Sequence, residues 1–387
     1  MDSRTRSYIK KKFKSYYNNF PLYLPHDFKD REWGFILLDE AFNAFMRRHK
    51  SFGSEGELHE YLTSMIPAHC YYSVAYYKYP SAANMSDKEW SGSDLIFDLD
   101  ADHLPNAPNN YSEMLDNVKV ETLRLYDFLI KDFGFSEDDI QIIFSGGRGY
   151  HIHITENNIK DLDSNQRREV IDYLSAKGLN LSHLFQHKRF VPELQKDGDD
   201  LDLNINSGWR KRLNAYIISY LQDSLDSSNA LKVLTRHKGI GERKASMIID
   251  LCKDKKELNK IKEGNFNSLF NIDKNLILSI AEQGIEKIRL NIDEPVTADI
   301  KRLIRLPGSL HGGSGLKVIP LTYSQLQDFN PLVDAIVFNE TPTLINIQKE
   351  QKFELNGMKF DLDVGIQEIP EFAAIYLMCR GVAEHES

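Results

Sequence analysis

The sequence has little cysteine. Its three residues, Cys70, Cys252 and Cys379, lie far apart. That spacing excludes a disulfide framework and any CxxC metal knuckle. It points to a reduced, cytoplasmic setting. The chain also lacks a run of about 18 apolar residues, so no membrane-spanning helix is expected. The N-terminal MDSRTRSYIKKKFKSYY is basic, but no apolar stretch follows it, so no secretory signal is expected. Positive charge is short overall: 48 Lys and Arg against 57 Asp and Glu leave a net charge of −9. The chain is therefore no broadly basic nucleic-acid binder, although a polyanion that touches one groove stays compatible with it. Two local clusters run the other way. Arg4, Arg6, Lys10, Lys11, Lys12 and Lys14 sit among aromatics at the start, and Lys301, Arg302 and Arg305 lie further on. Each reads equally well as a solvated face.

What is present is an ordinary globular pattern. With 387 residues and about 150 per domain, two to three units are expected, or one large domain carrying an insertion. REWGFILL (31–38) reads as a strand and Glu40–Phe52 as a helix. CYYSVAYYKY (70–79) and SDLIFDLD (93–100) read as strands. A helical stripe runs from Ser112 to Phe133, with Gly134 placed to end it. IQIIFSGGRGYHIHIT (140–155) reads as two strands joined by a glycine turn. Residues 93–155 thus form a split βαβ half of a mixed sheet. The stretch 163–287 is polar and helical. Strand character returns at IRLNID (288–293), and an apolar helix closes the chain. The expected organisation is 1–162 and 288–387 as two parts of one catalytic domain, with 163–287 as a helical subdomain.

Three motifs carry chemistry. Asp98 and Asp100 are i and i+2 on a strand, so they share a face. Paired carboxylates repel unless a cation lies between them, and Mg²⁺ takes such oxygen ligands together with substrate phosphates. An exposed edge strand would give the same triplet. The second motif is Ser145-Gly146-Gly147-Arg148-Gly149-Tyr150-His151. Its glycines allow close backbone approach, its N–H groups can form an anion nest, and Arg148 offers a planar fork for phosphate. His151 and His153 share one strand face. A plain hairpin with a solvated Arg is the alternative. The third motif joins Asp293 to Lys301-Arg302-Leu303-Ile304-Arg305-Leu306-Pro307-Gly308-Ser309-Leu310-His311. Three carboxylates, two metals and a ring of phosphate donors are what two-metal nucleotidyl transfer requires.

FDLDADH (97–103), FSGGRGYHIHI (144–154) and RLIRLPGSLHGGSGL (302–316) resemble the catalytic small subunit of archaeal and eukaryotic replicative DNA primase, with an archaeal flavour. REWGF (31–35), RRHKSF (47–52) and PEFAAIYLMCRG (370–381) extend the resemblance over nearly the whole chain. The resemblance implies a mixed α/β prim fold built on an RRM-like unit, with a smaller helical domain. It implies Asp98, Asp100 and Asp293 as the catalytic, Mg²⁺- or Mn²⁺-binding aspartates. Asp293 is chosen over Glu294 and Asp299 because it lies twelve residues before Arg305. The nucleotide-binding turn would comprise Ser145, Gly146, Gly147, Arg148, Gly149 and His151. Arg305 and His311 match further triphosphate contacts. Arg31 and Arg48 fall in motifs near the nucleotide. Implied partners are a large primase subunit, a single-stranded DNA template and nucleoside triphosphates.

One departure stands out. Where most members carry a Cys/His zinc knuckle, this chain reads HLPNAPNNYSEMLDNVK (103–119), with one His and no Cys. A structural zinc needs four ligands, so none is expected. HKGIGERKASMIID (237–250) offers either a helix-hairpin-helix phosphate turn or a plain packing turn. The reading that results is a DNA primase catalytic subunit. A repair or gap-filling polymerase of the same superfamily, and a non-catalytic nucleic-acid-binding module, are the alternatives.

Overall fold

A computed structural model describes residues 1–38, 45–103, 108, 110–185, 207–226 and 229–386. The chain runs through helix Ser3–Asn19, strands β1 (Trp33–Leu37) and β2 (Arg47–Lys50), and helix Glu55–Met65. Strands β3 (Pro67–Ser73), β4 (Ala75–Tyr77), β5 (Trp90–Ser93) and β6 (Leu95–Asp100) follow, then helix Tyr111–Lys131. Next come β7 (Ile140–Phe144) and β8 (Gly149–Ile154). After a helical stretch the chain forms β9 (Leu303–Arg305) and β10 (Ile319–Leu321). The last strands are β11 (Pro342–Ile347), β12 (Gln351–Leu355), β13 (Met358–Leu362), β14 (Gly365–Pro370) and β15 (Ala383–His385), with helix Glu371–Cys379 before β15.

Contacts divide the chain into two units. The first comprises Met1–Tyr126, Phe135–Ile171 and Asn291–Ser387, and the second Asp127–Gly134 with Asp172–Leu290. The first unit holds two four-stranded antiparallel sheets, ordered β2-β1-β3-β9 and β10-β7-β8-β6. In the second sheet β6 and β7 run parallel, with β8 antiparallel between them. This is the split βαβ unit of a mixed α/β prim fold, as expected from the sequence. Alternation sets its faces. Leu95, Phe97 and Leu99 are at most 2% exposed. Asp98 and Asp100 turn to the other side and stay partly open. Each buried apolar side chain contributes about 1.5–3 kcal/mol, so a one-residue slip of β6 would lose the core and the aspartate face together.

Two local expectations are corrected. Arg47–Lys50 form strand β2 rather than helix, and residues 40–44 lie outside the described residues. The free edge of β1 needs partners. Glu32, fully buried, takes Arg48 Nε at 3.0 Å and the His49 N–H at 3.1 Å, which fixes the strand there. Residues 289–293 are irregular rather than a strand. The preceding helix runs to Ile288, and Asp293 occupies the N-cap position of helix Glu294–Ala298, without a side-chain capping bond; the helix has Pro295 in its first turn. Proline at that position favours a helix start.

Of the basic N-terminal cluster, Arg4, Lys11 and Lys14 are exposed on helix Ser3–Asn19, whereas Lys12 pairs with the buried Glu371; Thr5, Ile9, Phe13 and Tyr17 of the same helix are buried at a spacing of four. The second unit is helical in its described part. Arg212 pairs with Asp127 at 2.9 Å and Asp132 at 2.8 Å there, and lies 3.5 Å above the Phe128 ring. The Gly239–Gly241 turn links helices Ala230–Leu234 and Glu242–Lys253, with Ile240 buried and Lys244 bonded to Asp273 at 2.6 Å. No helix among the described residues is long and apolar enough to cross a membrane.

A buried ionic cluster holds the root of β6. Arg31, 1% exposed, pairs with Asp94 at 2.7 Å and donates to Ser73 O, Val74 O, His26 O and Tyr76 Oη. Arg167, also buried, donates to Asp94 O, Ser93 O and Leu162 O. Removing one partner of a buried pair strands the other charge. Arg31→Ala is therefore expected to lower the unfolding free energy by about 3–5 kcal/mol, read from urea midpoints. An unchanged midpoint with weakened nucleotide binding would return Arg31 to the nucleotide.

Candidate active site

The register of β6 on β8 builds the site. Asp98 pairs with His151 and Asp100 with Gly149. His151 Nε2 lies 3.4 Å from Asp98 Oδ1. Arg148, just before Gly149, reaches Asp102 at 2.6 Å and Asp100 at 3.4 Å. Gly149 is obligatory, because a Cβ there would lie 2.0 Å from the Leu99 carbonyl oxygen. Gly146 has a φ of +75°, and a Cβ on it would meet His311 Cβ at 2.7 Å. Glycine alone tolerates both demands. The turn is tied from outside. Tyr111 Oη donates to Gly147 O at 2.5 Å, and Ser314 Oγ donates to Gly146 O at 2.6 Å.

These elements line one cleft of about 410 Å³. Asp98, Asp100, Ser145, Gly147, Arg148, His151, Arg305 and His311 all contribute to its wall. Gly146 and Gly149 shape the turn behind them. Arg302, Tyr71, Tyr111, Val296, Gly313, Ser314 and Arg380 line it as well. Arg302 belongs to the third motif read from the sequence; the others were not singled out there, although Ser314 lies inside the HGGSG run and Arg380 inside the closing MCRG. Asp293 is not among the lining residues. It stands at the N-cap position of the short helix whose Val296 reaches the cleft. Arg31 and Arg48 are not brought to the cleft either: the first is enclosed with Asp94, and the second pairs with Glu32.

The electrostatics are those of an anion site facing two carboxylates. Burial holds His311 well below the ordinary imidazole range, with Arg305 and His69 adding to the effect. Burial also lowers His151, partly offset by the Asp98 carboxylate. Both imidazoles are neutral near pH 7, able to donate one hydrogen bond without adding charge. Arg148, about half exposed, and Arg305 supply the cationic forks. Among the described residues, no three His, Cys, Asp or Glu side chains form a group that could hold a metal by themselves. Asp98 and Asp100 offer two carboxylates on one face beside the glycine-rich turn that carries Arg148. That donor set fits a hard divalent cation that completes its shell with phosphate oxygens and water. Residues 104–107 and 109, where a zinc knuckle would fall, lie outside the described residues.

Comparison with known proteins places the sequence among relatives. A family model described as the DNA primase small subunit matches residues 97–323. The DNA primase small subunit PriS of Methanococcoides burtonii is 47% identical over 388 positions, spanning 100% of both chains. That of Methanosarcina acetivorans is 43% identical, covering 100% of this chain and 98% of its own. That of Methanospirillum hungatei is 38% identical, covering 99% and 98%.

The Gly149 contact yields a direct test. Gly149→Ala is expected to destabilise the protein by about 1–3 kcal/mol, as overpacking does, measured by thermal unfolding. Gly147→Ala should be milder, because the nearest atom its Cβ would meet is in the His311 ring, at 3.2 Å. Equal stability of Gly149→Ala and wild type would contradict the close approach.

Proposed function

The chain belongs to the DNA primase small subunit family, and we propose that the cleft beside β6 is where it joins nucleoside triphosphates into short primers on single-stranded DNA. The observation that carries this is the convergence of Asp98 and Asp100 with Arg148, His151, Arg305 and His311 around one cleft. Primer synthesis makes the chain a nucleotidyltransferase. In our reading the growing strand's 3′-hydroxyl attacks the α-phosphate in line and pyrophosphate leaves. The turn from Ser145 to Gly149 receives the triphosphate, with Arg148, Arg305 and His311 around it. Arg148 exchanges its bond to Asp102 for phosphate when the nucleotide arrives. His151 stays neutral and steers the Asp98 carboxylate through their cross-strand contact. Positioning and charge neutralisation do most of the catalytic work in such transfers.

Asp98 and Asp100 would hold the divalent cation, Mg²⁺ or Mn²⁺, with Asp293 as the proposed third carboxylate. When bound, the cation neutralises charge on the attacking oxygen and the transferred phosphate. We assign no zinc to the chain. We further propose a large primase subunit as partner, since the net charge of −9 leaves little intrinsic grip on template. Extension with deoxynucleotides and a cytoplasmic location complete the reading.

The test is synthesis on unprimed single-stranded DNA with labelled nucleotides and Mn²⁺ or Mg²⁺. Wild type should make primers. Asp98→Ala and Asp293→Ala should each lose at least about 100-fold, the scale of removing one electrostatic contact to a transition state. Full activity in Asp293→Ala would move the third carboxylate to Glu294 or Asp299. Extension of a supplied primer without synthesis from free nucleotides would favour a gap-filling polymerase or an obligatory partner.

A further inference from the structure

Arg305 owes its placement to a side chain outside all three motifs. It lies on β9, opposite Tyr71 of β3. His69 is two residues before Tyr71, so both project from the same face of β3. The Tyr71 ring lies 5.1 Å from the guanidinium carbon of Arg305. His69 Nδ1 lies 2.7 Å from Arg305 Nη1. A guanidinium has no acceptor, so this contact can run only one way: Arg305 donates and Nδ1 accepts. The Gly312 N–H donates to the same Nδ1 at 3.3 Å. Two donors on one nitrogen put the imidazole proton on Nε2.

His69 thereby joins the two halves of the phosphate-facing wall. Its ring stands edge-on to His311, with centroids 4.9 Å apart and planes at 76°. Gly312 is pressed so tightly on β3 that a Cβ would meet Ala68 Cβ at 2.7 Å and Ala68 O at 2.9 Å. Burial, with the Arg305 charge second, pushes the His69 imidazole down to about 3. It therefore stays a neutral acceptor throughout the working pH range.

We propose that His69 is a positioning residue: its Nδ1 aims the Arg305 guanidinium and fixes the 311–313 loop, so that both meet the incoming triphosphate. This rests on the reading of Arg305 as a triphosphate contact. Without the acceptor, Arg305 is free to move about its long side chain, and the wall meets the nucleotide only part of the time. The loss falls on nucleotide affinity rather than on the transfer step.

Steady-state extension of a primed template by the full chain, with nucleotide varied and Mn²⁺ fixed, tests this. His69→Leu removes the acceptor and is expected to raise nucleotide KM about 10-fold, the scale of one hydrogen bond to a charged group. Its kcat should stay within about 3-fold of wild type. His69→Asn places an amide oxygen where Nδ1 stands and should keep KM within about 3-fold, whereas the longer His69→Gln should not. His69→Leu combined with Arg305→Ala should be no worse than Arg305→Ala alone. A purely structural histidine would lower kcat and the thermal midpoint and leave KM unchanged, which overturns the proposal. So does additivity of the two substitutions, or a KM in His69→Asn as high as in His69→Gln. If Arg305→Ala itself leaves KM unchanged, the triphosphate reading falls and His69 falls with it. A raised KM in Arg305→Ala with wild-type KM in His69→Leu removes His69 alone. Should His69→Leu fail to fold, the Asn and Gln pair decides.

Discussion

Gly149 passes so close to β6 that any side chain on it would press into the Leu99 carbonyl. This contact locks the register in which Asp98 faces His151 and Asp100 faces Gly149. The rest of the site depends on that register. A slip of one residue would turn Leu99 toward the cleft and bury the aspartates in the core. The same close approach starts β8 beside the end of β6, so Arg148, one residue earlier, reaches Asp100 and Asp102. The glycine turn thus acts twice. It sets the strands, and it brings Arg148 and the loop's backbone N–H groups up to the paired carboxylates.

Placing acids and bases together in one cleft requires support from behind. Asp94 stands one residue before β6 and is held by Arg31 and Tyr76, while Arg167 caps the carbonyls of Ser93 and Asp94. These groups are buried and mutually satisfied, so the strand root is fixed from behind the cleft. On the opposite wall, His69 and Tyr71 hold Arg305, and Ser314 ties the loop after His311 to the glycine turn. The side chains free to reorganise are the partly exposed Asp98, Asp100 and Arg148. On the proposed reading, those are the groups that would exchange partners for a nucleotide and a metal.

Much of this was legible in the sequence because it is local. Alternation in Leu95–Asp100 gave both the core face and the aspartate face. The Ser145–Gly149 turn announced itself by three glycines, two of which, Gly146 and Gly149, stand where a side chain cannot. The helix Tyr111–Lys131 followed from its apolar spacing. What could not be read depends on distant partners. Arg47–Lys50 is a strand because β1 has a free edge and Glu32 is buried beside it. The buried pairing of Arg31 with Asp94 is likewise invisible in REWGF. His69 sits in an unremarkable aromatic strand, and only the pairing of β3 with β9 brings it to Arg305. Asp293 was placed by counting residues, and it stands at the N-cap position of the short helix that carries Val296.

The most direct test is to find the metal and the phosphates themselves. Crystals of the chain grown with a non-hydrolysable nucleoside triphosphate and Mn²⁺, with anomalous data at the manganese edge, would locate both. The account predicts a manganese peak in contact with Asp98 and Asp100. It predicts the triphosphate against Ser145–Gly149, within hydrogen-bond reach of Arg148, Arg305 and His311. Manganese bound away from both aspartates, or a triphosphate outside this cleft, would contradict it.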